Sequence, residues 1–480
     1  MINRFNFGLQ SGLWEQPCLE LIQQFDPAAE LVFNGEGPRN INITYAGDIL
    51  TFEGWDKAGR KYQKEYNLSG KPLEKDTFKG FLYLFLVTFF GHPMAWGSLS
   101  GVKPVKIAHQ LIVKEGQDTQ GAAKQMVKRY NVSPEKAMLA ATLAQGEMPI
   151  VYPLDPKRVS VYLGVPLCPA KCSYCSFVST VADKKGQLAE TYLTSLLLEI
   201  KAMAQMVREK ELTIDTLYIG GGTPSILSAA QLEILLNALE GDFIHRDLRE
   251  FTFEAGRPET TSREKLVLLK GHGVDRVCLN PQSMNAETLR AINRNHSPED
   301  IRRTLEIIRE VGFKSVNMDL IVGLAEEAPQ RVLDSLDAVI AMAPENLTVH
   351  SLAIKKGSAI KEAQGHQVTQ LYDEDFYEEI TRRTLAGGYH PYYLYRQKYT
   401  QGNGENIGYA RTGCDGIYNI LMMAERQTII GIGAGSSGKV YHADTDRFGK
   451  IFTVKDIRTY NERITSIIER KIAAYSENLP

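Results

Sequence analysis

The sequence predicts an α/β fold, a parallel sheet curled into a partial (β/α)6 barrel, with an α+β domain before it and an α+β extension after it. Three observations carry this. Over residues 159–352 short apolar runs alternate with helical patterns in regular order. Helix-start signals sit between those runs at capping offsets. And a chain of 480 residues exceeds one ordinary core, so two or three domains are expected.

Val159–Val165 is an apolar run of strand type, and Glu190–Arg208 has helical spacing. Asp215–Gly220 is a second strand, followed by a helix capped by Ser228 with Gln231 three residues on. Glu250–Ala255 is a third, followed by a helix with Thr261 as cap and Glu264 in the capping-box position. Asp275–Asn280 is a fourth, then come helices at Asn285–Asn293 and from Ser297-Pro298-Glu299-Asp300. Ser315–Val322, a helix through Ala341 and Leu347–Leu352 complete the series. Six strands separated by helices imply parallel pairing with right-handed crossovers, which curls the sheet. The expected domains are an N-terminal accessory domain (1–152), the barrel (153–360) and a C-terminal substrate-covering domain (361–480). Pro153–Arg158 reads as a linker.

In the first region Asn42–Phe52 and Lys61–Leu68 alternate loosely, as short strands do. Asp76–Phe90 is a helix with Asp76 as N-cap, ended by Gly91-His92-Pro93. Its run Phe81–Phe90 is far shorter than the roughly 18 residues a bilayer span needs, so it reads as a buried helix. Trp96–Pro104 is turn-rich and reads as a surface loop, with closure over a pocket as the alternative. Residues 118–146 carry two helix patterns split at Asn131-Val132-Ser133-Pro134.

Hydrophobic residues make up 43% and charged residues 23% of the chain, as in soluble globular proteins. The net charge of −2 implies no polyanionic partner, and no basic stripe marks a nucleic-acid binder. The N-terminus lacks the charged start and apolar run of a signal peptide. Six cysteines make no disulfide framework, so a reducing, cytoplasmic setting is expected.

Three of those cysteines cluster. Cys168, Cys172 and Cys175 follow the first strand directly, spaced C-x3-C-x2-C, with Tyr174 just before the last. Soft thiolates select zinc, copper(I) or iron–sulfur clusters. A structural zinc site wants four closed ligands, and a cubane cluster has four corners. No fourth Cys or His follows in Ser176-Phe177-Val178-Ser179. One corner of a cluster would stay open to a small molecule. A zinc loop and three unrelated buried thiols are the bland alternatives.

In parallel barrels chemistry gathers at the C-terminal strand ends. The second strand here ends in Gly220-Gly221-Gly222-Thr223-Pro224, where glycines let a ligand approach the backbone. The third ends near Glu254, the fourth runs into Gln282, and the fifth holds Asp319. Each alone is as well read as a lone polar group satisfied at a strand end. Together, in register with the cysteine loop, they read as one site.

The cysteine loop resembles that of the radical S-adenosylmethionine (SAM) enzymes. Residues 162–325 are similar to the oxygen-independent coproporphyrinogen III oxidase family, and the flanks look most like its HemZ (coproporphyrinogen dehydrogenase) branch. The resemblance implies a radical SAM barrel in which Cys168, Cys172 and Cys175 hold a 4Fe-4S cluster and the open iron chelates SAM. It implies Tyr162 as the family's tyrosine six residues before the first Cys, a catalytic-site residue. Gly221, Gly222 and Thr223 would receive SAM's amino end, and Glu254 and Gln282 its ribose and nearby polar atoms. Arg294, in Ala-Ile-Asn-Arg-Asn-His-Ser, would pair with its carboxylate, Asp319 with the ribose, and Ala353 with the adenine side. Three departures stand out. Gly164 replaces a His, Ala325 replaces a Pro, and Ser176-Phe177 replaces a Cys-x-Cys ending linked in the family to a second SAM. One SAM is therefore expected, and whether a second binds stays open.

The implied activity is reductive cleavage of SAM to methionine and a 5′-deoxyadenosyl radical, with a flavodoxin or ferredoxin as reductant. In the oxidases this radical leads to decarboxylation of coproporphyrinogen III propionates to vinyl groups. A haem-binding chaperone of the same family, and a radical enzyme acting on another tetrapyrrole, are the alternatives.

Past the barrel, Tyr389–Tyr399 holds five tyrosines among eleven residues. They suit either a pocket for a flat macrocycle or an edge strand. Thr428–Lys439 contains G-x4-G-K, but Val440 stands where a P-loop needs Ser or Thr for magnesium. The segment instead resembles the family's C-terminal Gly-rich loop, which approaches the substrate. Cys278 and Cys414 read as incidental thiols, and Cys18 carries no signal.

Overall fold

A computed structural model describes the chain except residues 1–2, 11–12, 27–28, 35–38, 102, 178–179, 184, 355–357, 359–371, 398–399, 401–403 and 480. Two compact units emerge. The first comprises 1–145 with parts of 363–374 and 394–405, and the second comprises 146–362, 375–393 and 406–480.

The first unit is α+β. Its sheet contains β1 (Asn3–Leu9), β2 (Ala29–Phe33), β3 (Arg39–Ala46), β4 (Ile49–Trp55) and β5 (Lys61–Asn67), in the order β2-β1-β3-β4-β5. The alternation read across 42–52 belongs to two strands: β3 and β4 form a hairpin, with Ala46 opposite Ile49 and Gly47 at φ +59° in the turn. Ile41, Ile43, Leu50 and Phe52 face one side. There they meet the helices Glu15–Phe25 and Lys75–Phe90, which bury Leu21, Ile22, Phe78, Leu82, Phe85 and Leu86. Each such side chain stabilises the fold by about 1.5–3 kcal/mol relative to exposure. The apolar run 81–90 is thus a buried helix, as expected. Its cap is Glu74, not Asp76, and no side chain caps it.

The segment after this helix departs from the surface-loop reading. Trp96, Ser98, Leu99 and Ser100 are buried. Trp96 Nε1 donates to Glu405 Oε2 (3.1 Å), and Arg396 donates to the Leu99 carbonyl (2.6 Å). These partners lie some 300 residues away, out of reach of local pattern. Helices at Thr119–Tyr130 and Pro134–Val151 follow, split where the Asn131–Pro134 signal falls.

The second unit is built on six parallel strands in chain order. They are β6 (Arg158–Val165), β9 (Thr213–Gly221), β10 (Glu250–Gly256), β11 (Arg276–Leu279), β12 (Ser315–Val322) and β13 (Asn346–Ser351). β7 (Leu167–Cys168) and β8 (Thr180–Val181) form a separate two-stranded clasp. The sheet stays open and grows at both edges. Beside β13 lie β15 (Asn406–Ala410), antiparallel to it, and then β14 (His390–Tyr395). Beside β6 lies β16 (Ile429–Ile432), parallel to it, then β17 (Ser437–His442) and β18 (Arg447–Phe452). Within the tyrosine-rich stretch His390–Tyr395 is therefore an edge strand, with Tyr392 and Tyr393 buried, and Tyr399 lies outside the described residues.

The caps largely follow the sequence. Ser228 with Gln231 and Ser297 with Asp300 form complete capping boxes. One shifts: Ser262, not Thr261, caps the helix Arg263–Gly271, accepting from Lys265 N–H (3.3 Å). The Thr261 hydroxyl is engaged with the Arg257 carbonyl instead (2.9 Å).

Candidate functional site

The cysteine loop leaves the end of β6 and closes on the β7–β8 clasp, where Ala182 N–H donates to the Cys168 carbonyl (2.9 Å). The turn after the helix Ala286–Ala291 and the end of β10 hold its backbone. Ser173 N–H donates to the Ile292 carbonyl (3.2 Å), Asn293 Nδ2 to the Lys171 carbonyl (2.8 Å) and Arg257 to the Ala170 carbonyl (2.9 Å). Cys168 and Cys172 are buried and Cys175 partly so. Burial pushes the Cys175 thiol up, and the Cys172 and Cys168 thiols beside it add to that. Among the described residues no three Cys, His, Asp or Glu side chains are gathered in metal-holding geometry. Two of the thiols instead accept from protein donors: Cys168 from Thr223 Oγ1 (3.6 Å) and Cys172 from Arg257 (2.9 Å).

The glycine turn lies directly against this loop. Gly222 N–H donates to the Val165 carbonyl (2.8 Å) and Thr223 N–H to the Leu167 carbonyl (2.7 Å). A Cβ on Gly222 would sit 2.5 Å from the Leu167 oxygen and 2.9 Å from Cys168 Sγ. Gly221 has φ +118°, where a side chain would be strained. Only glycine lets these backbones touch.

The predicted polar residues converge along the same strand ends. Glu254 on β10 is pushed up to about 7, chiefly by burial; the Tyr218 hydroxyl, donating to its Oε1 at 2.6 Å, pulls the other way. Asp319 on β12 is buried too, which alone would raise it. His350, 3.8 Å away, and Asn317, donating at 2.7 Å, outweigh that and hold it below the usual range. Gln282 has φ +68° and bridges by backbone to β12, its N–H donating to the Asp319 carbonyl (2.8 Å). Its buried Oε1 has no hydrogen-bond partner. Arg294 is buried, donates to the Asn280 carbonyl (2.6 Å) and lies 3.4 Å from the Tyr174 hydroxyl. Its Nε, and Oδ1 of Asn280, are buried without partners. Such unsatisfied atoms each cost about 1–3 kcal/mol, so the site suits a polar guest. Ala353 follows the end of β13, partly buried. Tyr162 pairs with Tyr218 in the β6–β9 register and stacks on it (6.0 Å between centroids) and on Tyr418 (6.5 Å).

Three soft thiols on one loop, a glycine cradle and partnerless buried polar atoms together fit a thiolate-held cluster beside a polar ligand. The Radical SAM superfamily matches residues 162–339. The oxygen-independent coproporphyrinogen-III oxidase-like protein HemZ of Bacillus subtilis is 34% identical over 97% of this chain and 96% of its own length.

The chain belongs to the radical SAM family of oxygen-independent coproporphyrinogen III oxidase-like proteins.

Two further similarities are lower in identity. The Bacillus subtilis heme chaperone HemW is 28% identical over 61% of this chain and 74% of its own. The coproporphyrinogen III oxidase HemN of Escherichia coli, a radical SAM enzyme, shares the fold with a TM-score of 0.51 at 22% identity, over 68% of this chain and 72% of that one. The family carries a 4Fe-4S cluster and SAM, as expected from the sequence.

Some site residues escaped the sequence reading. Arg257, Tyr218 and Tyr418 carry contacts between elements far apart in sequence, and only the Gly-Arg-Pro just past Glu254 offered a local signal. The G-x4-G-K segment is strand–turn–strand, not strand–loop–helix, and Lys439 lies 3.3 Å from Glu425. Its turn meets the site's first strand: a Cβ on Gly433 would sit 2.4 Å from the Gly164 oxygen. Cys278 is buried and near Arg276 (3.4 Å), and Cys18 is buried in the core of the first unit. Among the described residues no helix is long and apolar enough to cross a membrane.

Proposed function

We propose that this chain is a radical SAM oxidoreductase that converts coproporphyrinogen III propionates to vinyl groups, giving protoporphyrinogen IX. The observation that carries the substrate class is the similarity to an oxidase-like relative along 97% of the chain, well beyond the barrel. In this reading Cys168, Cys172 and Cys175 hold the cluster. Gly221, Gly222 and Thr223 receive SAM's amino end and Arg294 pairs with its carboxylate. Glu254, Gln282, Asp319 and Ala353 meet the nucleoside. When bound, cluster and SAM supply one-electron reductive cleavage that yields a 5′-deoxyadenosyl radical.

The protein's own work is positioning. Glu254 titrates near neutrality, so one oxygen accepts from Tyr218 while the other can present a proton or a lone pair to a ligand hydroxyl. The Tyr162–Tyr218–Tyr418 stack walls the site with aromatic surface and keeps water from it.

A second reading is a haem-binding chaperone, favoured by the similarity to HemW over 61% of the chain. One assay separates them. The full chain is reconstituted anaerobically with iron and sulfide and given SAM, reductant and coproporphyrinogen III. Vinyl products with 5′-deoxyadenosine support the oxidase; stoichiometric haem binding without turnover supports the chaperone. Cys172→Ala is expected to abolish cluster and deoxyadenosine together, and deoxyadenosine that survives it contradicts the ligand assignment.

A further inference from the structure

We propose that Arg257 sets the reduction potential of the iron–sulfur centre through its hydrogen bond to Cys172. The inference rests on the reading of Cys172 as a cluster ligand.

Arg257 is the first residue past β10, three positions beyond Glu254, and is 3% exposed. Its guanidinium is fixed at three points. One nitrogen donates to Cys172 Sγ (2.9 Å) and to the Ala170 carbonyl (2.9 Å), and another donates to Glu259 Oε1 (3.2 Å). Its carbonyl is held in turn by the hydroxyls of Thr260 (3.1 Å) and Thr261 (2.9 Å). A surface arginine swings freely, but this one is locked onto one sulfur and onto the backbone of the loop that carries it.

The physics has a definite sign. Reduction adds one negative charge to a cluster. Hydrogen bonds to its sulfurs, net charge and burial tune its potential. A guanidinium cannot shed its proton, so its charge is permanent. Placed within hydrogen-bond reach of a ligand sulfur and away from water, it favours the reduced state over the oxidised one. Glu259 opposes it. That carboxylate pairs with Arg257 and also lies 3.7 Å from His296 Nδ1, and its charge offsets part of the guanidinium field at the sulfur. Arg257 and Glu259 therefore push the potential in opposite directions. Arg257 is a positioning and tuning residue here, since it touches a ligand and not the reacting atoms.

The test is a redox titration followed by electron paramagnetic resonance on the anaerobically reconstituted full chain, with iron and sulfide content measured alongside. Arg257→Gln is expected to make reduction about tenfold less favourable, a negative shift of about 59 mV for a one-electron couple. Arg257→Lys, which keeps the charge, is expected to stay within about threefold of the unmodified protein. Glu259→Gln keeps an acceptor oxygen but removes the charge, and its potential is expected to move positive. Equal potentials for Arg257→Gln and the unmodified protein overturn the proposal, as do shifts of one sign in Arg257→Gln and Glu259→Gln. If Arg257→Gln assembles no cluster, Glu259→Gln decides: an unchanged or more negative potential overturns the proposal and a positive shift supports it. An unmodified chain without a cluster overturns the ligand reading itself, and this proposal with it.

Discussion

Gly222→Ala tests whether the glycine turn and the cysteine loop form one rigid unit. The added methyl would lie 2.5 Å from the Leu167 oxygen, so that oxygen must retreat by about 1 Å to reach ordinary contact. It cannot retreat freely, because it accepts the Thr223 N–H bond at 2.7 Å. Cys168 Sγ, 2.9 Å from the same methyl, is pushed as well. Overpacking costs about 1–3 kcal/mol, and a weakened hydrogen bond adds about 1 kcal/mol. About 2–4 kcal/mol set against cluster binding corresponds to a loss of roughly 30- to 1000-fold in affinity. The assay is retention of iron and sulfide by the reconstituted protein across a chelator series. Gly146→Ala is the control, since it sits inside the helix Pro134–Val151 and, apart from its chain neighbours and its own helix backbone, no described atom lies within 4 Å of its Cβ. That variant is expected to keep its cluster and to gain up to about 1 kcal/mol of stability. A Gly222→Ala protein that loses iron at the same chelator concentration as the Gly146→Ala control would refute the reasoning.

Two further outcomes follow from buried charge. Glu254 is raised to about 7 from its ordinary 4.5, so the folded chain keeps a proton that the unfolded chain has released. Its contribution is fully present below pH about 4.5 and is lost as pH rises to about 7, by up to about 3 kcal/mol at roughly 1.4 kcal/mol per unit. Denaturant titrations of the cluster-free protein are expected to show that slope, and Glu254→Gln to flatten it; an equal slope in the variant would count against the burial argument. Lys471 and Glu199 are both fully buried and paired, and Lys471 also donates to the Gly431 carbonyl and to Thr453 Oγ1 (3.0 Å). Lys471→Met removes the only cation paired with Glu199 among the described residues and leaves it to the Gly433 N–H (2.9 Å) and the Tyr460 hydroxyl, an expected loss of about 3–5 kcal/mol. The double variant Lys471→Met, Glu199→Leu is expected to recover part of it, and no recovery in denaturant midpoint would contradict the pairing argument.

The sequence by itself determined what depends on short range. Strand and helix alternation, two complete capping boxes and the C-x3-C-x2-C loop are set by residues a few positions apart, and local hydrogen bonding fixes them wherever the rest of the chain goes. The glycine turn was legible for the same reason. Where competing groups lay side by side, local reading slipped: Ser262 and Thr261 both offer a hydroxyl, and that of Thr261 is taken by the Arg257 carbonyl while Ser262 caps. Tertiary structure alone decided the long-range partners. Arg257 reaches Cys172 across 85 residues and Lys471 reaches Glu199 across 272. Trp96, in the segment read as a surface loop, is buried against Glu405 from 309 residues away. β16 joins the open edge of the barrel beside β6, which is how the glycine-rich segment becomes a hairpin turn at the first strand instead of a phosphate loop. Periodicity specifies which face of an element is apolar, but not which distant element covers it. A buried charge finds its partner only when the fold brings the two together and water is removed from between them.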